Sequence, residues 1–297
     1  MKKRAKHIAH IGITGILTIF AFSNLNAQNS LLWKIEGNGL EHPSYLLGTI
    51  HIYDTTDFKL PTVIFQHLES CNAYAMEINM DESNPSALAS RTMIMDGNTL
   101  DILMGEEAFD RLMSFPMPAM MGREVVKRIK PIFTTSLIYM EDANHRPQSI
   151  DQYLFSYAKA HGKAVFGIET MEEQLDAVDA IPMKDQAEML KESLMKEDDP
   201  RDAIKKLWDT YKSQNFEELE KELEESNPSP LFTHELIEKR NVNMADRISS
   251  MMVENGSLFA AIGALHLGDI HKIKGVVSLL QEKGYTLTPI EFTFITE

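Results

Sequence analysis

Two segments far apart in the chain share one pattern, an apolar run that ends at a glycine and is followed three residues later by a histidine. The first is Tyr45–His51 and the second is Leu258–His266. A strand that is covered on both faces of a sheet requires a continuous apolar run. We expect the glycine to let the chain turn sharply at the strand's end, so that the imidazole can point back over it. The pattern predicts that His51 and His266 face one point in space. A bound metal ion is the simplest reason for this, and two structural histidines are the alternative.

The bare pattern Gly-x-x-His occurs at two further places. Residues 39–42 have no apolar run before them, and residues 268–271 lie where a helix is expected to begin. Because both copies lack the strand context, we do not count His42 or His271 as candidate ligands.

Two carboxylates also come at the ends of predicted strands. Glu77 ends the apolar run 73–79, and Glu169 follows the run 163–168 directly. A carboxylate in an apolar strand is costly unless it is paired or bound. For Glu77 the alternative is a half-exposed strand in which the side chain faces water. For Glu169 the alternative is a structural pair with an arginine.

The order of the predicted elements indicates an α/β fold with α+β character. Predicted strands alternate with helices, and the helical share is high, which favours a central mixed sheet that is surrounded by many helices. Residues 185–225 carry charge throughout with recurring leucines, and we interpret them as a helical insertion or lid. Leu231–Glu254 is predicted to be one long helix that bears Arg240 and Asn241.

The N-terminus predicts export. Residues 1–27 have four basic residues, an apolar stretch and a small residue at the end, which is typical of a cleaved signal peptide. We expect one domain over 28–297, in the periplasm or secreted, without a membrane span after cleavage. The formal net charge of -15 gives no electrostatic reason to bind nucleic acid.

The candidate residues point to a specific chemistry. Two imidazoles and a carboxylate with an open coordination position suit a divalent ion such as Mn²⁺, Co²⁺ or Zn²⁺. Such an ion lowers the pKa of bound water and polarises a carbonyl. A further carboxylate could accept the water proton as a general base. This chemistry is typical of the hydrolysis of an amide or ester.

Five segments in order resemble the TraB/GumN family, over about residues 31–290. The segments that carry the resemblance are 45–51, 76–77, 167–174, 240–241 and 263–268. The family is similar to the animal Tiki proteins, which are metal-dependent proteases that act on secreted peptides.

The resemblance implies roles for particular residues of this chain. It implies that His51, His266 and Glu77 are metal ligands, with Glu77 as ligand or general base. It further implies that Arg240 holds a carboxylate or neutralises an oxyanion, as an arginine can. Glu169 and Asn241 match family positions whose roles are less settled, and we include Glu169 among the candidate catalytic residues.

Three functional hypotheses follow. The first is an exported metal-dependent hydrolase, in particular a peptidase, that acts on a peptide or on a small ester or amide. The second is a binding protein that holds haem or another small ligand without turnover, since the family's wider superfamily includes a haem-binding lipoprotein. The third is a structural envelope protein in which both histidines are satisfied in the core.

Overall fold

A computed structural model describes residues 30–50, 59–82, 85–138, 149–196, 200–225 and 229–294. The predicted signal peptide at residues 1–27 and the predicted ligand His51 lie outside the described residues.

Within these residues the strands form one six-stranded mixed sheet in the order β4-β3-β5-β2-β1-β6. Four strands, in the order β4, β3, β5 and β2, are parallel to one another. β1 pairs antiparallel with both β2 and β6. The predicted α/β class with a central mixed sheet is therefore confirmed. The strands are β1 (Leu32–Gly37), β2 (Ser44–Thr49), β3 (Ala73–Ile78), β4 (Ala164–Glu169), β5 (Leu258–Gly263) and β6 (Tyr285–Pro289).

The two strands that lead into the Gly-x-x-His motifs are adjacent. Every residue of β2 and of β5 is buried, as a continuous apolar run requires in the middle of a covered sheet. The two strands are parallel, and Thr49 pairs with Gly263 at their ends. Both motifs therefore leave the sheet at the same edge, side by side.

The helices pack into two hydrophobic cores. The main core covers the sheet, and a second core is formed by helices α3, α4, α7 and α10 around Phe109 and Leu190. The helices are α1 (Thr62–Ser70), α2 (Pro85–Arg91), α3 (Leu100–Met104), α4 (Glu106–Met113), α5 (Pro116–Met121), α6 (Arg123–Val126), α7 (Pro131–Ile138), α8 (Ile150–Ala160), α9 (Met171–Asp179), α10 (Met183–Met195), α11 (Pro200–Ser213), α12 (Phe216–Glu225), α13 (Pro230–Thr233), α14 (Lys239–Asn255) and α15 (Val276–Glu282).

The segment 185–225 is divided between the two cores. α10 packs into the second core, whereas Trp208 and Tyr211 of α11 and Leu219 of α12 are buried in the main core. The Tyr211 hydroxyl donates a 2.8 Å hydrogen bond to the carbonyl of Gly48. This contact fastens α11 to the end of β2. Whether this segment acts as an insertion or lid stays a prediction.

Across the described ranges, no helix is long and apolar enough to cross a membrane.

Gly48 is required by close packing at the end of β2. A Cβ atom built there would lie 2.4 Å from Leu267 Cδ1 and 3.2 Å from the Cα of Ala264. Its backbone is not in the left-handed region, so the expected sharp turn is not the reason for glycine. The same holds for Gly263, which has φ -54° and ψ 136°. At Gly48, the residues that follow β5 occupy the space that a side chain would need.

Gly48→Ala is therefore expected to lower the free energy of unfolding by about 1–3 kcal/mol through overpacking. Leu267→Ala alone should cost about 2–5 kcal/mol because it leaves a cavity. In the double variant the added methyl group enters that cavity, so the combined loss should be smaller than the sum of the single losses. Urea unfolding of the three variants measures this coupling, and strictly additive losses would contradict the packing explanation.

Candidate active site at the carboxyl ends of the parallel strands

The predicted site residues lie at one edge of the sheet. Glu169 is the last residue of β4, Glu77 is the next-to-last residue of β3, and His266 follows β5 by three residues. Ligands of open α/β sheets bind outside the carboxyl ends of parallel strands, where side chains from several strands converge. The edge is therefore where a functional site is expected from the fold alone.

A single guanidinium joins the two predicted carboxylates. Arg240 donates from Nη2 to Glu77 Oε2 at 2.6 Å and to Glu169 Oε2 at 2.7 Å. Its Nε donates to Glu169 Oε2 at 2.9 Å. Glu77 and Glu169 are each only 5% exposed, so both are buried. Glu77 therefore does not face water. Glu169 pairs with an arginine, which was the alternative that the sequence analysis gave for this residue.

Gln174 and Gly263 also donate hydrogen bonds to these carboxylates. The Gln174 side-chain amide donates to Glu77 Oε2 at 3.1 Å and to Glu169 Oε2 at 3.2 Å. The backbone N–H of Gly263 donates to Glu77 Oε1 at 2.6 Å. With two negative charges and one positive charge, the group formed by Glu77, Glu169 and Arg240 has a formal charge of -1, and we call it the carboxylate–arginine cluster.

The cluster is electrostatically interdependent. Burial by itself would lower the pKa of Arg240, but the charges of Glu77 and Glu169 and their hydrogen bonds outweigh it and raise that pKa. A buried ion group is compensated only as a whole, because removing one partner leaves another charge buried and unpaired. The guanidinium therefore compensates the charges of the two buried carboxylates.

A change of helical register places Arg240. α13, a π-helical segment (His234–Glu238) and α14 form one helical stretch over 230–255. The long helix predicted over Leu231–Glu254 is present, but it contains this π turn. Arg240 Nη1 donates to the Leu236 carbonyl inside the π turn at 3.3 Å. Single π turns shift the register of the residues that follow and are frequent at functional sites.

The next residue of α14 holds His266. Asn241 Oδ1 lies 2.6 Å from Nδ1 of His266, and Asn241 Nδ2 donates to the Lys274 carbonyl at 2.9 Å. His266 is 7% exposed and Asn241 is 1% exposed. His266 is thus buried, and Asn241 holds its ring at Nδ1. Unlike His266, the discounted histidines His42 and His271 are exposed.

The structure links the halves of the site through β5. The Gly263 N–H binds Glu77, and the chain reaches His266 three residues later. Within the part of the chain that the structure describes, no group of three or more His, Cys, Asp and Glu side chains is placed to hold a metal ion. His51 lies outside that part, so its meeting with His266 stays a prediction.

Sequence reasoning missed Asp151 at this edge. Thr49, at the end of β2, donates from Oγ1 to Asp151 Oδ1 at 2.6 Å, and the Tyr74 hydroxyl donates to the Asp151 carbonyl at 3.0 Å. Asp151 is buried in the first turn of α8. In the sequence it lies two residues after Ser149 in an ordinary helix-capping pattern, and its partner Thr49 lies 102 residues away. The capping pattern gives no signal that this acid is buried or that Thr49 is its partner.

Comparison with known proteins assigns the family. The chain matches the TraB/PrgY/gumN family over residues 31–289 and belongs to that family. It is 24% identical over 317 aligned residues to Metalloprotease TIKI2 of Danio rerio, covering 87% of this chain and 60% of that protein. It is 25% identical over 327 residues to Metalloprotease TIKI2 of Xenopus tropicalis, covering 90% and 61%. The chain therefore spans about 60% of the length of these relatives. No solved structure shows a significant match.

Arg240→Met should destabilise the protein by about 3–5 kcal/mol, because it leaves two buried carboxylates without their cation. The matched control is Arg123→Met, since Arg123 also pairs with two carboxylates, Glu106 and Asp110, but on the surface. Its loss should be several-fold smaller. Urea unfolding at pH 7 compares the two, and equal losses would show that the burial of the cluster has no energetic consequence.

The acid limb of stability should depend on Glu173, which lies beside the cluster. The Arg247 guanidinium, together with the Thr170 N–H and against the effect of burial, lowers the pKa of Glu173 from 4.5 to about 2. Because the folded-state pKa is depressed, the stabilisation is complete above pH 4.5 and is lost as the pH falls towards 2.

Glu173→Gln should therefore be less stable than wild type at neutral pH, with a difference that shrinks between pH 4.5 and 2. Urea unfolding across that range gives the difference. Glu172→Gln, which removes an exposed acid from the same helical turn and not the Arg247 pair, is the control. A difference for Glu173→Gln that does not change with pH would contradict the assignment.

Proposed function

We propose that this chain is an exported, metal-dependent hydrolase, in particular a peptidase. The observation that carries the proposal is the position of a buried imidazole and a buried, arginine-held carboxylate pair on neighbouring parallel strands. The similarity to proteins named metalloproteases supports the same reaction class. Export rests on the predicted signal peptide at residues 1–27.

The donor chemistry of the described residues fits a divalent ion. Because Nδ1 of His266 faces the Asn241 amide oxygen, Nε2 is the nitrogen that would bind a metal. The cluster has a formal charge of -1, and the Glu77 carboxylate within it is an oxygen donor of the kind that binds such an ion. His266, Glu77 and, by the sequence pattern, His51 would hold Mn²⁺, Co²⁺ or Zn²⁺.

When bound, such an ion supplies an activated water and polarises the scissile carbonyl. The protein's residues define the surroundings of that step. Donors from Gln174, Arg240 and Gly263 hold the Glu77 carboxylate in place, and it would serve as a metal ligand. Arg240 uses its Nε and both Nη atoms on neighbouring groups, so its role is to hold the carboxylates and not to neutralise an oxyanion. Glu169 acts through Arg240, as a positioning residue.

The substrate of the proposed reaction is a peptide or a small ester or amide. The formal net charge of -15 disfavours nucleic acid as a partner. A peptide substrate is consistent with the metalloprotease names of the relatives, and for this chain it remains part of the proposal.

Metal content tests the proposal directly. Protein purified without chelators and reloaded with Mn²⁺, Co²⁺ or Zn²⁺ should contain about one ion per chain by elemental analysis. His266→Ala and His51→Ala should each lose most of that metal and cleave no peptide from a library that wild type cleaves, because each removes one of the three protein ligands proposed for the ion.

The matched control is His271→Ala, since His271 belongs to a Gly-x-x-His pattern but is exposed. It should keep the metal and the activity of wild type. Full metal content in the His51 or His266 variant would overturn the ligand assignment. Negligible metal in wild type would overturn the metallohydrolase and favour ligand binding without turnover.

A further inference from the structure

We propose that Asn241 is the positioning residue that fixes the tautomer of His266, so that the ring carries its proton on Nδ1 and presents the Nε2 lone pair to the site. This inference deepens the proposed function and rests on it for its purpose. The tautomer itself can be observed whether or not a metal binds.

The two ends of the Asn241 amide are distinguished by its other partner. The Lys274 carbonyl can only accept a hydrogen bond, so the amide nitrogen of Asn241 must face it at 2.9 Å. The amide oxygen must then face Nδ1 of His266 at 2.6 Å. Because an amide oxygen can only accept, Nδ1 must be the protonated nitrogen. In a neutral imidazole the lone pair is then on Nε2.

The Lys274 carbonyl is itself held in place by the loop that follows His266. The N–H of Gly275 donates to Asp269 Oδ1 at 2.8 Å, and Ile270 and Ile273 exchange backbone hydrogen bonds. The backbone at Gly275 lies so close to the start of the loop that a Cβ there would be 2.2 Å from the Leu267 carbonyl oxygen. The loop therefore returns to the residue after His266 and presents Lys274 to the helix.

These contacts form a closed series in which each residue positions the next. The chain runs from His266 through the loop to Lys274, the Lys274 carbonyl orients Asn241, and Asn241 orients His266. The tautomer is thus set by backbone geometry through one buried amide. Since Asn241 is only 1% exposed, replacing it removes an acceptor that bulk water cannot readily replace.

As a consequence, Nε2 of a neutral His266, the nitrogen that would bind the metal, is already unprotonated in the metal-free protein. A metal-bound histidine ordinarily donates its other N–H to an oxygen of the protein, and losing that oxygen typically costs 10–100-fold in metal affinity. Asn241 supplies such an oxygen, and it is uncharged. Arg240, the residue before it on α14, binds the carboxylates. Two consecutive helical residues therefore organise the two halves of the site.

Nitrogen-15 NMR of metal-free protein labelled at histidine tests the tautomer. The His266 resonances are assigned among the ten histidines by comparison with His266→Gln. At a pH where the ring is neutral, wild type should show the proton on Nδ1. Asn241→Leu, which has the same branched shape but offers no acceptor, should shift His266 towards the Nε2–H form. Asn241→Asp loses the donor to the Lys274 carbonyl but keeps an acceptor for Nδ1, and should restore the Nδ1–H form.

Asn243→Leu is the matched control, because Asn243 is an exposed asparagine of the same helix. It should leave the His266 tautomer unchanged. If Asn241→Leu does not fold, as judged by circular dichroism, the wild-type spectrum and Asn241→Asp decide the question. An Nε2–H tautomer in wild type, or no change in a folded Asn241→Leu, would overturn the inference.

Competition with a chromogenic chelator gives the second readout. Zn²⁺ affinity should fall about 10–100-fold in Asn241→Leu and recover in part in Asn241→Asp. An unchanged affinity in Asn241→Leu would overturn the link between tautomer and metal. An Nδ1–H ring in a wild-type protein that binds no Zn²⁺ would support the tautomer and contradict the proposed function, so the two failures are distinguishable.

Discussion

The buried guanidinium of Arg240 is the interaction on which the rest of the site depends. Glu77 is the next-to-last residue of β3 and Glu169 is the last residue of β4, and these two buried carboxylates share the cation that compensates their charges. A π turn directly precedes the arginine, and its Leu236 carbonyl accepts a hydrogen bond from Nη1. The position of α14 on the sheet is therefore fixed by charge compensation as well as by apolar packing.

The same helix connects this charge group with the imidazole. Successive residues of a helix point about 100° apart, so Arg240 and Asn241 can contact residues at the ends of different strands from the same helical turn. Arg240 binds the ends of β3 and β4, and Asn241 binds the residue that follows β5. The Gly263 N–H closes the connection by binding Glu77 from β5. A displacement of α14 would thus disturb the Arg240 contacts with both carboxylates and the Asn241 contact with His266 together.

The sequence predicts the strands and the edge of the sheet well, because apolar runs and parallel pairing follow from local pattern. It places Glu77, Glu169 and His266 at strand ends, as found. It does not predict which distant partners they meet, since Arg240 lies 71 residues from Glu169 and 163 from Glu77. Nor does it predict that Gly48 is needed for packing against Leu267 and not for its backbone angles. Such contacts arise only when separate segments come together.

We propose that a divalent ion binds at this edge through His266 and Glu77. Anomalous diffraction from crystals of Mn²⁺-, Co²⁺- or Zn²⁺-loaded protein, recorded at the absorption edge of the metal, locates such an ion. We expect one strong peak about 2.0–2.2 Å from Nε2 of His266 and within ligand distance of a Glu77 oxygen. A peak at another place, or a peak bound through Nδ1 of His266 with Asn241 displaced, would contradict it.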